Sequence, residues 1–176
     1  SQNAEDTRYY ALLAKIPCIE PTNVQEAKDM VSDAFRISEE LQLPVLFRVT
    51  DRICHARSDA TLDEIHQLNM PPSFVKDDSR YVMVAPNARR RVEWLNGQMD
   101  KAAALSENYP GNRVDAVDSA KVGVIASGVT YEHTIEALNV LGLRDRVSVL
   151  KLTFTNPLPK QMIAAFLRAH SEVLVV

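Results

Sequence analysis

The alternation of apolar and polar positions divides the chain into two stretches of strand-and-helix pattern around one stretch without a period. Residues 16–20 (Ile-Pro-Cys-Ile-Glu) form a short apolar strand candidate that Pro21 ends. Thr22 and Gln25 then stand at capping-box spacing and open a helix running to about Gln42. Val24, Ala27, Val31, Ala34, Phe35 and Ile37 give that helix an apolar face, opposite Glu26, Lys28, Asp29, Glu39 and Glu40. Pro44 closes the connection, and residues 45–50 read as a strand. A strand–helix–strand unit implies a parallel pair with a right-handed crossover. Upstream, residues 4–14 have helical character, with Tyr9, Leu12 and Leu13 as their apolar contribution.

Residues 56–85 change texture: Ser58-Asp59, Pro71-Pro72 and 76–80 (Lys-Asp-Asp-Ser-Arg) are polar or proline-bearing and read as a linker between two domains. A long helix is predicted from about Ala88 to Glu107, capped by Asn87, with Val92, Leu95, Met99, Ala102 and Leu105 down one side. Residues 121–126 then predict a strand, Ser127-Gly128 a tight turn, and Thr130 the cap of a helix to about Leu141 that Gly142 terminates. Residues 147–154 are the next strand, Asn156-Pro157-Leu158-Pro159 opens a helix carrying Met162, Phe166 and Leu167, and 173–176 form a last strand. Continuous apolar strands alternating with amphipathic helices argue for α/β architecture: two three-layer domains built on parallel sheets covered on both faces.

Composition narrows the function classes. The 176 residues are 46% hydrophobic and 24% charged, as in ordinary globular proteins. All five glycines (97, 111, 123, 128, 142) lie beyond residue 96, which excludes a glycine-rich phosphate loop in the first half. Gly123 and Gly128 do not meet the dinucleotide-binding spacing, and a turn explains Gly128. The chain begins at Ser1, has its first Met at position 30 and stops at Val176 inside an apolar run, so a piece of something longer is expected. Net charge is −3, and the one basic cluster, Arg89-Arg90-Arg91, points three ways from a helix and reads as solvated surface, not a nucleic-acid site. No apolar stretch approaches the roughly 20 residues that span a bilayer. Cys18 and Cys54 are expected as buried free thiols of a cytoplasmic protein, and their number excludes paired zinc or iron–sulfur ligation within this stretch.

Few residues stand out as chemistry. His133 sits in the first turn of a predicted helix, where an imidazolium is disfavoured, and reads as a neutral surface or interdomain histidine. His66 and His170 lie in polar, exposed contexts. Residues 51–57 place Asp51, Arg52, His55 and Arg57 after the carboxyl end of a strand, where open parallel sheets bind ligands; anion binding and an interface salt-bridge network both fit. Arg8 has a fork suited to a small carboxylate, although spacing alone favours pairing with Glu5.

Five stretches together carry a resemblance. They are Ser1-Gln2-Asn3 with Asp6 and Arg8-Tyr9-Tyr10-Ala11; Glu20-Pro21 with Gln25-Glu26-Ala27; Pro44-Val45-Leu46 with Arg48, Thr50, Arg52-Ile53 and His55; residues 125–131; and residues 150–159. In this order they resemble the large (alpha) subunits of indolepyruvate:ferredoxin oxidoreductases, within the thiamine-diphosphate-dependent 2-oxoacid:ferredoxin oxidoreductases. The resemblance is weakest across 56–118. It implies that 1–58 is the C-terminal half of a pyrimidine-binding thiamine domain, 59–85 a linker, and 86–176 a transketolase C-terminal-like domain truncated at its end. The parent protein would oxidatively decarboxylate aryl 2-oxoacids such as indolepyruvate with coenzyme A, giving aryl-acetyl-CoA, CO2 and reduced ferredoxin. It would use thiamine diphosphate, Mg2+ and iron–sulfur clusters, with a small beta subunit as partner. The implied place of Arg8 is at the 2-oxoacid carboxylate, with Gln2 and Asn3 near the reaction centre and Arg52 and His55 near the active site or a subunit contact. The pyrimidine-activating glutamate would lie upstream of Ser1, and the diphosphate motif and cluster cysteines in later regions. The piece alone is therefore expected to be inactive and to bind no cofactor. The family commonly has Glu where Ala4 stands. Two alternatives remain: the same chemistry on pyruvate or 2-oxoglutarate, and a non-catalytic α/β subunit-interaction module.

Overall fold

Fourteen elements follow one another in a computed structural model that describes residues 5–64, 71 and 73–176. They are α1 (Arg8–Ala14), β1 (Cys18–Ile19), α2 (Val24–Leu41), β2 (Leu46–Phe47), α3 (Asp51–His55), α4 (Asp78–Tyr81), α5 (Ala85–Glu107), β3 (Arg113–Asp115), β4 (Val122–Ser127), α6 (Val129–Val140), β5 (Val147–Leu152), β6 (Phe154–Asn156), α7 (Lys160–Ala169) and β7 (Glu172–Val175). The strands form two sheets, in the orders β2-β1-β6 and β3-β5-β4-β7.

The second sheet is three-layered because its strands alternate apolar residues to both sides. Val124, Ala126, Val147 and Val149 pack against Tyr131 and Leu138 of α6. Ile125, Leu150 and Leu152 pack against Phe166 of α7 on the other face. β4 runs parallel to β5 (Val124↔Val149) and to β7 (Gly123↔Val173). The edges correct the all-parallel expectation. β3 pairs antiparallel with β5 (Val114↔Leu150), and β6 pairs antiparallel with β1 (Ile19↔Phe154). β3 escaped the sequence pattern because its three residues are largely exposed and two are charged.

The apolar run expected as one strand over 147–154 feeds both sheets, and Asn112 is the reason. Its carboxamide oxygen accepts from Thr153 N at 2.7 Å and Phe154 N at 3.0 Å, taking two amides out of the second ladder. The chain then crosses to β1. Gly111 permits this approach: a Cβ there would stand 2.6 Å from Tyr109 Cε1 and 2.8 Å from Thr153 Oγ1. Phe154 joins the core of the first sheet, where Ile19, Met30, Ile37 and Leu41 meet Ala102 of α5 and Tyr109. The core of the first sheet thus includes residues on both sides of the 59–85 segment.

Helix ends differ from the sequence pattern in detail. Asn23, not Thr22, caps α2, its side chain accepting from Glu26 N at 2.9 Å. The Glu26 carboxylate returns to Thr22 N, so the reciprocal box is displaced by one residue. α5 begins at Ala85 after Val84, and Asn87 instead donates to the carbonyls of Asp78 and Val82. Gly128, with φ +53, precedes α6, while Thr130 donates back to the Ser127 carbonyl. Gly142 adopts φ +66 after α6, as a terminator should. Cys18 is buried, but Cys54 is exposed, because α3 turns only Ile53 inward. His66 lies outside the described residues. No helix among the described residues is long and apolar enough to cross a membrane.

Candidate functional site

The parallel strands β4, β5 and β7 end on one side, the usual place for ligands in an open α/β sheet. A cleft of about 380 Å³ opens there, lined by Ile125, Ser127, Leu152, Thr155 and Leu158 together with Arg8. Its size falls within the roughly 300–1,000 Å³ of small-molecule pockets. Among the described residues, Arg8 is the one charged side chain lining it.

Arg8 reaches the cleft from the first turn of α1 and is held by two carboxylates of unequal standing. Its Nε and Nη2 donate to Asp6 Oδ1 and Oδ2 at 2.8 and 2.7 Å, a bidentate pair on the surface side. Among the described residues, Asp6 takes the place that spacing favoured for Glu5, its side chain also accepting from the Arg8 backbone amide, while Glu5 accepts from Tyr10. Behind Arg8 lies Glu20, 2% exposed, whose Oε1 is 3.9 Å from Arg8 Nε. Arg48 completes the group. It donates to Glu20 Oε2 at 2.9 Å and to Thr7 Oγ1 at 3.1 Å, and stands 4.0 Å from Asp6. The Arg8 guanidinium, bonded to it, holds the Asp6 carboxyl down to about 2, against the opposing effect of desolvation. Glu20 Oε1 and Thr155 Oγ1 are buried and accept no hydrogen bond among the described residues. Cys18 lies below them, and burial pushes its thiol up to about 11, so it is no nucleophile at neutral pH.

The other candidates fall elsewhere. Gln2 and Asn3 lie outside the described residues. Arg52 and His55 are exposed on α3 and make no hydrogen bond or ion pair with the Arg8 group among the described residues. Arg90 is engaged by Asn87, and Arg91 lies 3.5 Å from the centroid of the Trp94 ring, so the basic triplet is helix surface. His133 is exposed. His170, expected in an exposed context, is half-buried: it stacks on Phe166 at 4.3 Å and bonds the carbonyl of that residue, because α7 packs against the sheet there.

Sequence reasoning passed over Asp6, Glu20 and Arg48 as site residues. Arg48 carried a signal: a lone cation inside an otherwise apolar strand candidate requires a buried carboxylate. Among the described residues, no group of three or more His, Cys, Asp or Glu could hold a metal ion. Glu20, the buried carboxylate nearest the cleft, is bound to Arg48 and not free to activate a pyrimidine ring. The described residues therefore do not by themselves form a thiamine diphosphate and Mg2+ site.

No protein-family model matches this chain. Curated relatives do. The chain is 40% identical over 181 residues to an indolepyruvate oxidoreductase subunit IorA of Pyrococcus abyssi, and 39% identical over 177 residues to that of Methanothermobacter marburgensis. Each alignment takes in the whole chain and 28% of the relative, so the chain spans just over a quarter of their length. Among solved structures, a 2-oxoglutarate:ferredoxin oxidoreductase from Magnetococcus marinus, with 2-oxoglutarate, coenzyme A and succinyl-CoA bound, superposes with a TM-score of 0.58 at 15% identity. That match covers 91% of this chain and 34% of the other, and shows a shared α/β fold. Identity at this level along the entire chain makes it a homologue of one stretch, 28% of the length, of the indolepyruvate oxidoreductase subunit IorA relatives.

Proposed function

We propose that this segment supplies carboxylate recognition to a longer 2-oxoacid:ferredoxin oxidoreductase acting on indolepyruvate and related aryl 2-oxoacids. The observation that supports it is the position of Arg8, among the described residues the one cation in a mostly apolar cleft at the carboxyl ends of parallel strands, where Ser127 and Thr155 are the other polar side chains. Its planar fork matches a carboxylate and holds it in one orientation until it leaves as CO2. The aliphatic walls Ile125, Leu152 and Leu158 favour an apolar side chain over that of 2-oxoglutarate. A second carboxylate would need a second cation, and Arg48 is already committed to Glu20.

Thiamine diphosphate, when bound, supplies the electron sink for decarboxylation. Together with Mg2+, iron–sulfur clusters, coenzyme A, ferredoxin and a small beta subunit, it is assigned to regions and partners outside residues 1–176, in the cytoplasm. Within the chain, residues 1–58 are the back half of a pyrimidine-binding domain and 86–176 a transketolase C-terminal-like domain, joined by 59–85. The family resemblance assigns Gln2 and Asn3, which lie outside the described residues, to the vicinity of the substrate, and Arg52 and His55 to the active-site rim or a subunit contact.

The test is ferredoxin reduction by the full-length enzyme with coenzyme A and either indolepyruvate, pyruvate or 2-oxoglutarate. Preference for indolepyruvate is expected; preference for 2-oxoglutarate would overturn the reading. On the 176-residue chain alone, thiamine diphosphate with Mg2+ should leave the melting temperature unchanged, and a substantial rise would contradict the domain assignment.

A further inference from the structure

The charges around Arg8 already balance without a substrate. Arg8 and Arg48 face Asp6 and Glu20, two cations against two carboxylates. A third carboxylate brought to Arg8 would leave one negative charge in excess, so one of the two residents must give way. They are not equivalent. Glu20 is buried and tied to Arg48 at 2.9 Å. The Asp6 side chain is 36% exposed and lies on the open side of Arg8. Releasing it to water costs little, whereas displacing Glu20 would strand a buried charge.

The unused acceptor shows where Arg8 finds a replacement bond. Nε, which now donates to Asp6 Oδ1, is 3.9 Å from Glu20 Oε1, and that oxygen is buried with no donor among the described residues. A small rotation of the guanidinium brings the two into hydrogen-bond range and leaves the outer N–H groups for an incoming carboxylate.

We propose that Asp6 is a stand-in for the substrate carboxylate on Arg8, displaced when the 2-oxoacid binds, and that Glu20 is the positioning residue that receives Arg8 Nε in the exchange. This rests on the carboxylate role proposed above for Arg8. Asp6 thereby competes with substrate, lowering apparent affinity by the fraction of Arg8 it occupies.

Steady-state kinetics of the full-length enzyme with indolepyruvate test it. Asp6→Asn should lower KM about threefold to tenfold with kcat changed by less than about twofold, because it removes a competitor. Asp6→Glu, which keeps a carboxylate near Arg8, should hold KM nearer the wild-type value. The gain should vanish in the double variant Asp6→Asn/Glu20→Gln, where Nε lacks a carboxylate behind it. A merely structural Asp6 would give an unchanged or raised KM in Asp6→Asn, and that result would overturn the exchange. Persistence of the gain in the double variant would overturn the part assigned to Glu20. Arg8→Ala separates the two levels: if it leaves KM and kcat unchanged, the carboxylate reading itself has failed, whereas impairment of Arg8→Ala beside an unaffected Asp6→Asn removes the exchange alone.

Discussion

Two charged groups join the N-terminal elements to the second sheet or its cleft, and they are built on different terms. The first is the Arg8 group, with Asp6, Glu20 and Arg48. The second gathers around Lys151 of β5, which is 0% exposed and is bonded by Glu26 of α2. In the second group every charge is used. Glu26 also accepts from Thr22 N at 3.0 Å, and Lys151 lies 5.2 Å from the centroid of the Tyr131 ring. Tyr131 donates to Asp115 at 2.6 Å and accepts from Arg113 at 2.8 Å. Burial pushes the Glu26 carboxyl up, yet the Lys151 ammonium and the Thr22 amide overcome it and hold the carboxyl below the ordinary range. The Arg8 group instead keeps a buried acceptor with no donor among the described residues, and an exposed carboxylate on its cation. A saturated network fixes two elements together, while an unsaturated one beside a cleft is set up to exchange partners.

The largest expected effect lies in the saturated network. Glu26→Gln leaves Lys151 buried without a counter-ion and should cost about 3–5 kcal/mol in urea denaturation, with Lys151→Met costing less because it removes the buried charge as well. A loss under 1 kcal/mol in Glu26→Gln would erase the contrast between the groups. Acid should reach both groups. Both Glu26 and Asp6 have carboxyls lowered in the fold, so each stabilises the protein above its unfolded value and ceases to as pH falls through its folded one. For Asp6 that window runs from 3.8 down to about 2. Melting temperature followed from pH 7 downwards should fall, and both Glu26→Gln and Asp6→Asn should flatten that fall.

Gly128 tests how tightly the Arg8 group is seated against α6. It has φ +53, and a Cβ there would stand 2.9 Å from Glu20 Oε2. Gly128→Ala should cost about 1–3 kcal/mol through backbone strain alone. It should also disturb Glu20, so a raised KM is expected beside the lost stability. Smallest is Asp6→Asn, whose surface pair should contribute less than about 1 kcal/mol to folding.

Much of the framework was legible in the sequence, because amphipathic periodicity and continuous apolar strands report directly on burial. α2, α5, α6 and the strands β4, β5 and β7 follow that pattern to within a few residues. What escaped depended on distant partners. No local pattern shows that Asn112 would capture the amides of residues 153 and 154 and divert the chain into another sheet. The site was legible only in part for the same reason. Arg8 could be singled out through resemblance, but its partners depend on Glu20, Arg48 and Asp6 converging from β1, β2 and the approach to α1. By contrast, the 51–57 cluster is conspicuous in sequence because its charges are consecutive, yet Arg52 and His55 stay on the surface of a five-residue helix.

The central claim is that Arg8 grips the carboxylate of a 2-oxoacid. Its most direct test is kcat/KM for indolepyruvate in the full-length enzyme carrying Arg8→Ala, with folding checked by an unchanged melting temperature. Loss of a charged, bidentate contact should reduce kcat/KM by about 100-fold or more. Kinetics equal to the wild type would contradict the account.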